Sequence, residues 1–178
     1  MTNKKYFFIG IGGIGMSSIA QYLHERENTI LGYDASENKS IKILLKKGID
    51  VINKLSLENI PDYMKKDDVI VVYTPAIPDD NIFLKYFRKN GNNQIYKRSE
   101  MLGEISRQSK CIAVAGTHGK TTTSAIISHL FYSSGIHFKA FIGGIMKCFD
   151  SNFINTGNDY IIVEADEYDR SVSYTHLR

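Results

Sequence analysis

The feature that most constrains the fold is a strand–glycine loop–helix pattern that occurs twice in 178 residues. In the first copy, the apolar run KYFFIG leads into Gly10-x-Gly12-x-x-Gly15 and then into a helical pattern, GIGMSSIAQYLHER. In the second copy, KCIAVAG leads into GTHGKTTT and a long helical pattern that ends near Gly135. Such loops connect a buried strand of a parallel sheet to the helix that follows it. The repeated pattern therefore predicts an α/β fold with a mainly parallel sheet.

Further apolar runs alternate with helical patterns along the chain. The predicted strands are TILGYD, DDVIVVYT, QIYK, KAFIGG and DYIIVEAD, and the predicted helices are SIKILLKKG, NIFLKYFRKNG and SEMLGEISRQ. The pattern restarts after Ser106 to Ser109, so we place a domain boundary there. Residues 1–107 are predicted to form a Rossmann-like domain, and residues 108–178 to form the incomplete start of a second, P-loop-type α/β domain.

Composition excludes several classes of protein. Hydrophobic residues make up 43% of the chain, and the net charge of +3 comes from scattered lysines and arginines, which argues against nucleic-acid binding. No apolar run is long enough to cross a membrane, and the N-terminus lacks a signal-peptide pattern. Cys111 and Cys148 form no CxxC motif, and we expect Cys111 to be a buried free thiol. Free thiols favour a reducing, cytoplasmic setting.

The first glycine loop is typical of a site for a pyrophosphate. Glycines allow the backbone to approach the phosphates, and the following helix presents N–H groups and the positive end of its dipole. Asp34 ends the next predicted strand, where an acidic residue commonly binds a ribose hydroxyl. The loop alone does not distinguish NAD, FAD and a UDP-sugar, or any of these from a tight turn without a ligand.

The segment YTPAIPDD follows the third strong predicted strand. Ligands of open α/β sheets bind at the carboxyl ends of the strands. We therefore expect Thr74 and the backbone of Pro75 and Ala76 to face the same crevice as the first glycine loop. The alternative is that this segment only connects two elements and that its prolines make it rigid.

The second glycine loop departs from the usual Walker pattern, because Val114 stands where that pattern has its first glycine. Its final part, Gly119-Lys120-Thr121, is intact. In this pattern the lysine contacts the β- and γ-phosphates, the hydroxyl of the threonine binds Mg²⁺, and backbone N–H groups, here of residues 117–122, surround the anion.

A carboxylate for the same Mg²⁺ site is available in DYIIVEADEYD. Glu164 ends the apolar strand, and Asp166, Glu167 and Asp169 follow. Mg²⁺ prefers such hard oxygen ligands. The alternative is an acidic, solvated turn. The histidines show no metal-type spacing, so we expect neither a zinc site nor a histidine-based nucleophilic triad, although His118 lies inside the loop.

The segment GTHGKTTT resembles the ATP loop of the Mur ligase family, which shares it with folylpolyglutamate synthetases. The segments FIGIGGIGMSSIA, GYD, VVYTPAIP, KRSEMLGEI and VEADEYDRS extend the resemblance over nearly all of residues 5–171. Within the family, they are most similar to the ligases that use L-alanine. The resemblance implies an enzyme of peptidoglycan synthesis that uses ATP and Mg²⁺ to join UDP-N-acetylmuramate to L-alanine through an acyl phosphate.

The resemblance also implies roles for individual residues. The diphosphate of the UDP-sugar would lie on Gly12, Gly13, Ile14, Gly15 and Met16, with Asp34 near the uridine ribose, Thr74 and Ala76 lining the pocket and Arg98 supporting it. ATP would lie on Gly116, Thr117, His118, Gly119, Lys120, Thr121 and Thr122. Lys120 would stabilise the transferred phosphoryl group, and Thr121 and Glu164 would hold Mg²⁺.

The chain departs from the family pattern after Ser171. Residues 172–178 do not continue the expected segment, and we interpret them as a non-native tail. Because the amino-acid-binding domain of the family is absent, we expect no ligation by this chain alone. The alternatives are a ligase that joins a recycled tripeptide to UDP-N-acetylmuramate, a non-catalytic UDP-sugar-binding fragment, and an NAD-binding Rossmann protein, which would leave Lys120 and Glu164 without a role.

Overall fold

The computed structural model describes residues 3–66, 68–90 and 93–165, and the chain divides into two compact units after Arg98. The described part of the first unit contains five strands and three helices, with two short 3-10 helices at Leu57–Asn59 and Asp62–Met64. The strands are β1 (Lys5–Ile9), β2 (Thr29–Tyr33), β3 (Asp50–Ile52), β4 (Val69–Tyr73) and β5 (Gln94–Lys97), and the helices are α1 (Ile14–His24), α2 (Lys39–Lys46) and α3 (Ile82–Lys89).

The first unit is built on a parallel sheet with the strand order β3-β2-β1-β4-β5. The central strand β1 pairs with β2 on one side and with β4 on the other. The chain leaves β1 toward β2 and later returns to the opposite side of β1. The direction of winding therefore changes between β1 and β4, which is where open α/β sheets bind their ligands.

The core of the first unit explains why KYFFI forms its central strand. Phe7, Phe8 and Ile9 are completely buried, as expected for a strand that is covered on both faces. The ring of Phe7 lies 5.5 Å from that of Phe83 in an edge-to-face arrangement and 5.0 Å from that of Phe87. Both partners lie on α3, one turn apart, so this contact fixes α3 against the sheet.

The second unit contains a four-stranded sheet with the order β6-β9-β7-β8. Its elements are α4 (Arg98–Ser106), whose first residue belongs to the first unit, β6 (Lys110–Val114), α5 (Lys120–Ser133), β7 (Phe138–Met146), β8 (Ser151–Asn155) and β9 (Tyr160–Glu164). Strand β9 runs parallel to both β6 and β7, whereas β8 is antiparallel to β7. Three consecutive residues of β9, Ile161, Ile162 and Val163, are completely buried.

The predicted α/β class is confirmed, and every predicted strand and helix has a counterpart. Strands β3 and β8 were not predicted. The first has three residues, and the second, SNFIN, carries polar residues without an apolar run. The compact units divide at Arg98, and the domain boundary after residue 107 stays a prediction.

The expected burial of Cys111 was wrong, because this residue is exposed. Among the described strands, β6 pairs with β9 alone and so lies at an edge of its sheet. Cys148 is exposed too. A search of the described ranges for a helix of the length and hydropathy needed to cross a membrane found none.

Helix α5 carries an exposed apolar stripe, Ile126 and Leu130, with more than half of each residue accessible. We expect the substitution of both with lysine to change the free energy of unfolding by less than about 0.5 kcal/mol, because neither is buried. Self-association at high concentration, measured by light scattering, should decrease. As a control, Ile127→Lys should destabilise the chain, because Ile127 packs against the buried cluster around Phe138. If the double substitution of the stripe destabilised the chain as much as Ile127→Lys, Ile126 and Leu130 would have to be buried in solution.

Candidate functional site

The first glycine loop is tied to the end of β2. The N–H groups of Gly10 and Ile11 donate to the carbonyl oxygen of Tyr33 at 2.8 and 3.1 Å. The N–H of Gly12 donates to Oδ2 of Asp34 at 2.7 Å. The other oxygen of Asp34 accepts from the backbone N–H and the hydroxyl of Ser36. Asp34 therefore lies against the loop, and its carboxylate holds the loop in place.

Asn38 also supports this loop, although the sequence analysis did not identify it. Its side-chain N–H donates to the carbonyl oxygen of Gly12 at 3.2 Å, and its Oδ1 caps α2 by accepting from the N–H of Ile41 at 3.0 Å. An asparagine before an amphipathic segment is a recognisable helix cap. Its second contact, with a glycine 26 residues earlier, has no local sequence signal.

The loop after β4 lies against the first glycine loop. A Cβ atom added to Gly10 would lie only 2.7 Å from Cγ2 of Thr74, so these two residues are in direct contact. The carbonyl oxygen of Thr74 accepts from the N–H of Ile77 at 3.0 Å, which turns the chain over the end of the sheet. Ala76 is exposed in this turn.

The side chain of Arg98 reaches the first turn of α1. A Cβ atom at Gly15 would lie 2.8 Å from Nη1 of Arg98. The guanidinium group thus adds positive charge where the helix already presents the positive end of its dipole. Met16 is 1% exposed, so its side chain belongs to the core and only its backbone could contact a ligand. Gly13, in contrast, is exposed.

A cleft of about 440 Å³ opens beside the loop, within the range of small-molecule sites. Its lining combines apolar side chains with two carboxylates and comprises Gly10, Tyr33, Asp34, Ala35, Leu55, Ile77, Pro78, Asp80, Asn81 and Ile82. Of the residues predicted for the UDP-sugar, only Asp34 lines this cleft. Leu55 follows the unpredicted strand β3, so it could not be placed there from the sequence.

The geometry of the second glycine loop explains its missing glycine. Val114 is the last residue of β6 and pairs with Glu164 of β9, so its backbone is extended and needs no glycine. The sharp turns come later, at Gly116 and Gly119, whose φ angles are +145° and +77°. Other residues rarely adopt these angles. Helix α5 begins directly after Gly119, and the Nζ of Lys120 donates to the carbonyl oxygen of Gly116 at 2.6 Å.

The structure brings Thr121 and Glu164 together. The hydroxyl of Thr121 donates to Oε2 of Glu164 at 3.0 Å, across 43 residues of sequence. The two hard oxygens stand beside the glycine loop, and this donor set fits Mg²⁺. Within the described ranges, no three His, Cys, Asp or Glu side chains cluster as metal ligands, so phosphate and water oxygens would complete the coordination. Asp166, Glu167 and Asp169 lie outside the described residues.

Two further contacts of Glu164 were not predicted. Its Oε1 accepts from the hydroxyl of Ser124 and from the N–H of Gly143, both at 2.8 Å. Thr117, His118 and Thr122 are exposed around the same loop. The residues predicted for ATP thus form one continuous segment at the N-terminus of α5, and the candidate metal ligands adjoin it.

Comparison with known proteins identifies relatives over nearly the whole chain. The family model described as "Mur ligase family, catalytic domain" matches residues 5–110. A UDP-N-acetylmuramate–L-alanine ligase from Porphyromonas gingivalis is 45% identical over 98% of this chain. The chain spans 38% of that relative's length.

Two solved structures are similar in fold. The UDP-N-acetylmuramate–alanine ligase MurC from Thermotoga maritima superposes with a TM-score of 0.80 at 30% identity, covering 90% of this chain and 37% of that one. A UDP-N-acetylmuramate:L-alanyl-gamma-D-glutamyl-meso-diaminopimelate ligase from Neisseria meningitides gives 0.82 at 25% identity, covering 94% of this chain and 54% of that one. The family model matches more than half of the residues of this chain, and the relatives extend across both glycine loops. The chain therefore belongs to the Mur ligase family.

Proposed function

We propose that this chain provides the UDP-sugar site and the phosphate-binding part of the ATP site in a ligase that joins UDP-N-acetylmuramate to L-alanine. The observation that carries the proposal is the presence of two glycine loops, one at the winding change of a parallel sheet and one next to the Thr121–Glu164 pair. A dinucleotide-binding protein would need only the first. The name of the Porphyromonas gingivalis relative supports the choice of substrates.

The UDP-sugar site lies at the first loop. The diphosphate binds the N-terminus of α1 along the segment Gly12, Gly13, Ile14, Gly15 and Met16, where the positive end of the helix dipole lies and where Arg98 offers a positive charge. The uridine extends into the neighbouring cleft, whose apolar side chains suit a base and whose Asp34 carboxylate suits a ribose hydroxyl. Thr74 and Ala76 belong to the loop that lies against Gly10, and they would line this site next to the first glycine loop.

The second loop binds the triphosphate of ATP through residues Gly116 to Thr122. The lactyl carboxylate of UDP-N-acetylmuramate attacks the γ-phosphorus, and the bond from that phosphorus to ADP breaks, giving an acyl phosphate. The amine of L-alanine then attacks the carbonyl carbon, phosphate leaves, and an amide forms with release of a proton. Lys120 stabilises the negative charge on the transferred phosphoryl group, and the loop holds that group in position.

Thr121 and Glu164 are the residues that would hold Mg²⁺. A bound Mg²⁺ supplies charge neutralisation at the phosphate oxygens. The contribution of the chain is to place a hydroxyl and a carboxylate together at the loop, with the carboxylate oriented before any ligand binds. The cofactors of this proposal are therefore ATP and Mg²⁺.

A second candidate is the ligase class of the Neisseria meningitides structure, whose name specifies a tripeptide in place of L-alanine. The fold similarity favours this class as much as the alanine ligase, with TM-scores of 0.82 and 0.80 for the two solved structures, but the sequence identity is lower, 25% against 30%. A version of the protein that spans the full length of its relatives, assayed with L-alanine and with the tripeptide, separates these two candidates.

The experiment that tests the proposal is a calorimetric titration of the chain with UDP-N-acetylmuramate and, in parallel, with NADH. We expect saturable binding of the UDP-sugar alone. The Arg98→Ala variant should bind it about tenfold or more weakly, since a hydrogen bond to a charged group contributes about 1.5–3 kcal/mol. Binding of NADH alone would overturn the proposal in favour of a nicotinamide site. Binding of neither ligand would remove the UDP-sugar role from this chain.

A further inference from the structure

The carboxylate of Glu164 accepts three hydrogen bonds, which involve both of its oxygens. Its Oε1 accepts two hydrogen bonds, from the hydroxyl of Ser124 and the N–H of Gly143, both at 2.8 Å. Its Oε2 accepts from Thr121 at 3.0 Å. A carboxylate with one oxygen fixed by two donors keeps a single orientation, and its second oxygen then faces a defined direction.

Ser124 is completely buried on the side of α5 that faces Glu164. A serine inside a helix usually donates to the carbonyl oxygen four residues earlier, and here that oxygen, on Lys120, lies 2.9 Å away. The hydroxyl has only one proton to donate. Oε1 of Glu164 is the nearer acceptor and carries a negative charge, so it forms the stronger bond.

Gly143 contributes its backbone because it lies beyond the last residue of β7 that pairs with β9. That ladder ends where Phe141 pairs with Val163. Two residues further along β7, the N–H of Gly143 donates to the side chain of Glu164 at the end of β9. A Cβ atom at residue 143 would lie 2.5 Å from Oε2 of Glu164 and 3.0 Å from the hydroxyl oxygen of Thr121. Only glycine leaves room for the carboxylate.

We propose that Ser124 and the N–H of Gly143 are positioning residues for Glu164: they fix Oε1, so that Oε2 and the hydroxyl of Thr121 are presented together to a divalent cation. The inference rests on the proposed nucleotide site. Both positioning groups act through the carboxylate, since their hydrogen bonds go to Oε1 of Glu164.

The test measures Mn²⁺ binding to this chain in the presence of ATP by electron paramagnetic resonance, together with ATP binding without metal. We expect Ser124→Ala to weaken Mn²⁺ binding by about tenfold, the lower end for the loss of a group that orients a metal ligand. The metal-free affinity for ATP should not change. Ser124→Thr, which keeps the hydroxyl, should restore Mn²⁺ binding.

Ser128→Ala is the matched control. Ser128 is also completely buried on α5, but its hydroxyl donates to the carbonyl oxygen of Ser124 at 2.7 Å. The Ser128→Ala substitution removes a buried hydroxyl from the same helix but leaves the hydrogen bonds of Glu164 intact. Unchanged Mn²⁺ binding in Ser124→Ala, or an equal loss in Ser128→Ala, would overturn the role of Ser124.

Gly143→Ala is a second, independent variant, and circular dichroism verifies its fold. It should weaken Mn²⁺ binding because the added methyl group displaces the carboxylate, and full binding in this variant would overturn the role of Gly143. If the unmodified chain binds ATP but binds no Mn²⁺ in the presence of ATP, the metal role of Glu164 and this inference both fail. If it does not bind ATP at all, the proposed nucleotide site fails with them.

Discussion

Replacing Lys120 with alanine is expected to weaken the binding of ATP to this chain by about ten- to a hundredfold. A hydrogen bond to a charged group contributes about 1.5–3 kcal/mol, and each 1.4 kcal/mol corresponds to a factor of ten. The variant loses the ammonium group that would contact the phosphates, and it also loses the bond from Lys120 to the carbonyl oxygen of Gly116, which steadies the loop. Calorimetric titration with ATP measures the change.

The binding of UDP-N-acetylmuramate to the same variant should be unaffected, because its proposed site is the first glycine loop, in the other unit of the chain. Lys85→Ala is the matched control. Lys85 is exposed on α3, and its substitution removes one positive charge, as Lys120→Ala does. ATP affinity equal to that of the unmodified chain would exclude Lys120 from the site. If the variant bound neither ATP nor UDP-N-acetylmuramate, the substitution would have disrupted the fold, and the loss of ATP binding could not be assigned to a phosphate contact.

Replacing Phe7 with alanine is expected to destabilise the first unit by about 3–5 kcal/mol, as is usual for a fully buried phenylalanine. The side chain is completely buried in the central strand and contacts two rings of α3. Small domains are stable by about 5–15 kcal/mol, so this loss is a large share of the total. UDP-sugar binding should weaken as the folded population decreases.

The chain contains no tryptophan, so urea unfolding is best followed by circular dichroism. Hydrogen exchange then localises the loss, which we expect in β1, β2 and β4. Leu45→Ala is the control for this prediction. Leu45 is 53% exposed on α2, and its removal should cost less than about 0.5 kcal/mol. A similar cost for both variants would contradict the assignment of Phe7 to the core.

The sequence was most informative where an apolar strand runs into a glycine loop. The runs KYFFI and KCIAV, each followed by glycines and a helical pattern, correctly predicted β1 with α1 and β6 with α5. The proximity of Thr121 and Glu164 could be expected as well, since Thr121 follows β6 and Glu164 ends β9, and these two strands pair in parallel. These features depend on local patterns and on a general rule of α/β folds.

The features that the sequence did not reveal depend on register and on contacts between distant residues. The bond from Gly143 to Glu164 joins residues 21 apart and forms just beyond the point where the ladder between β7 and β9 ends. Leu55 lines the cleft after a strand of three residues, which is too short for a recognisable pattern. Cys111 is exposed because β6 lies at a sheet edge, and an apolar run does not reveal its position in a sheet.

The contacts of Glu164 also have a consequence for how the second sheet assembles. Ile161, Ile162 and Val163 are buried on both faces of β9, so a slip by one residue would exchange apolar side chains for apolar side chains. Hydrophobic burial alone therefore discriminates weakly between alignments of this strand. Polar contacts at the strand's end single out one alignment: Glu164 bonds Ser124 and Gly143, and the N–H of Ala165 bonds the carbonyl oxygen of Val114. The carboxylate proposed to serve the cation therefore also adds a polar criterion for the register of β9, because its bonds to Ser124 and Gly143 belong to the native alignment.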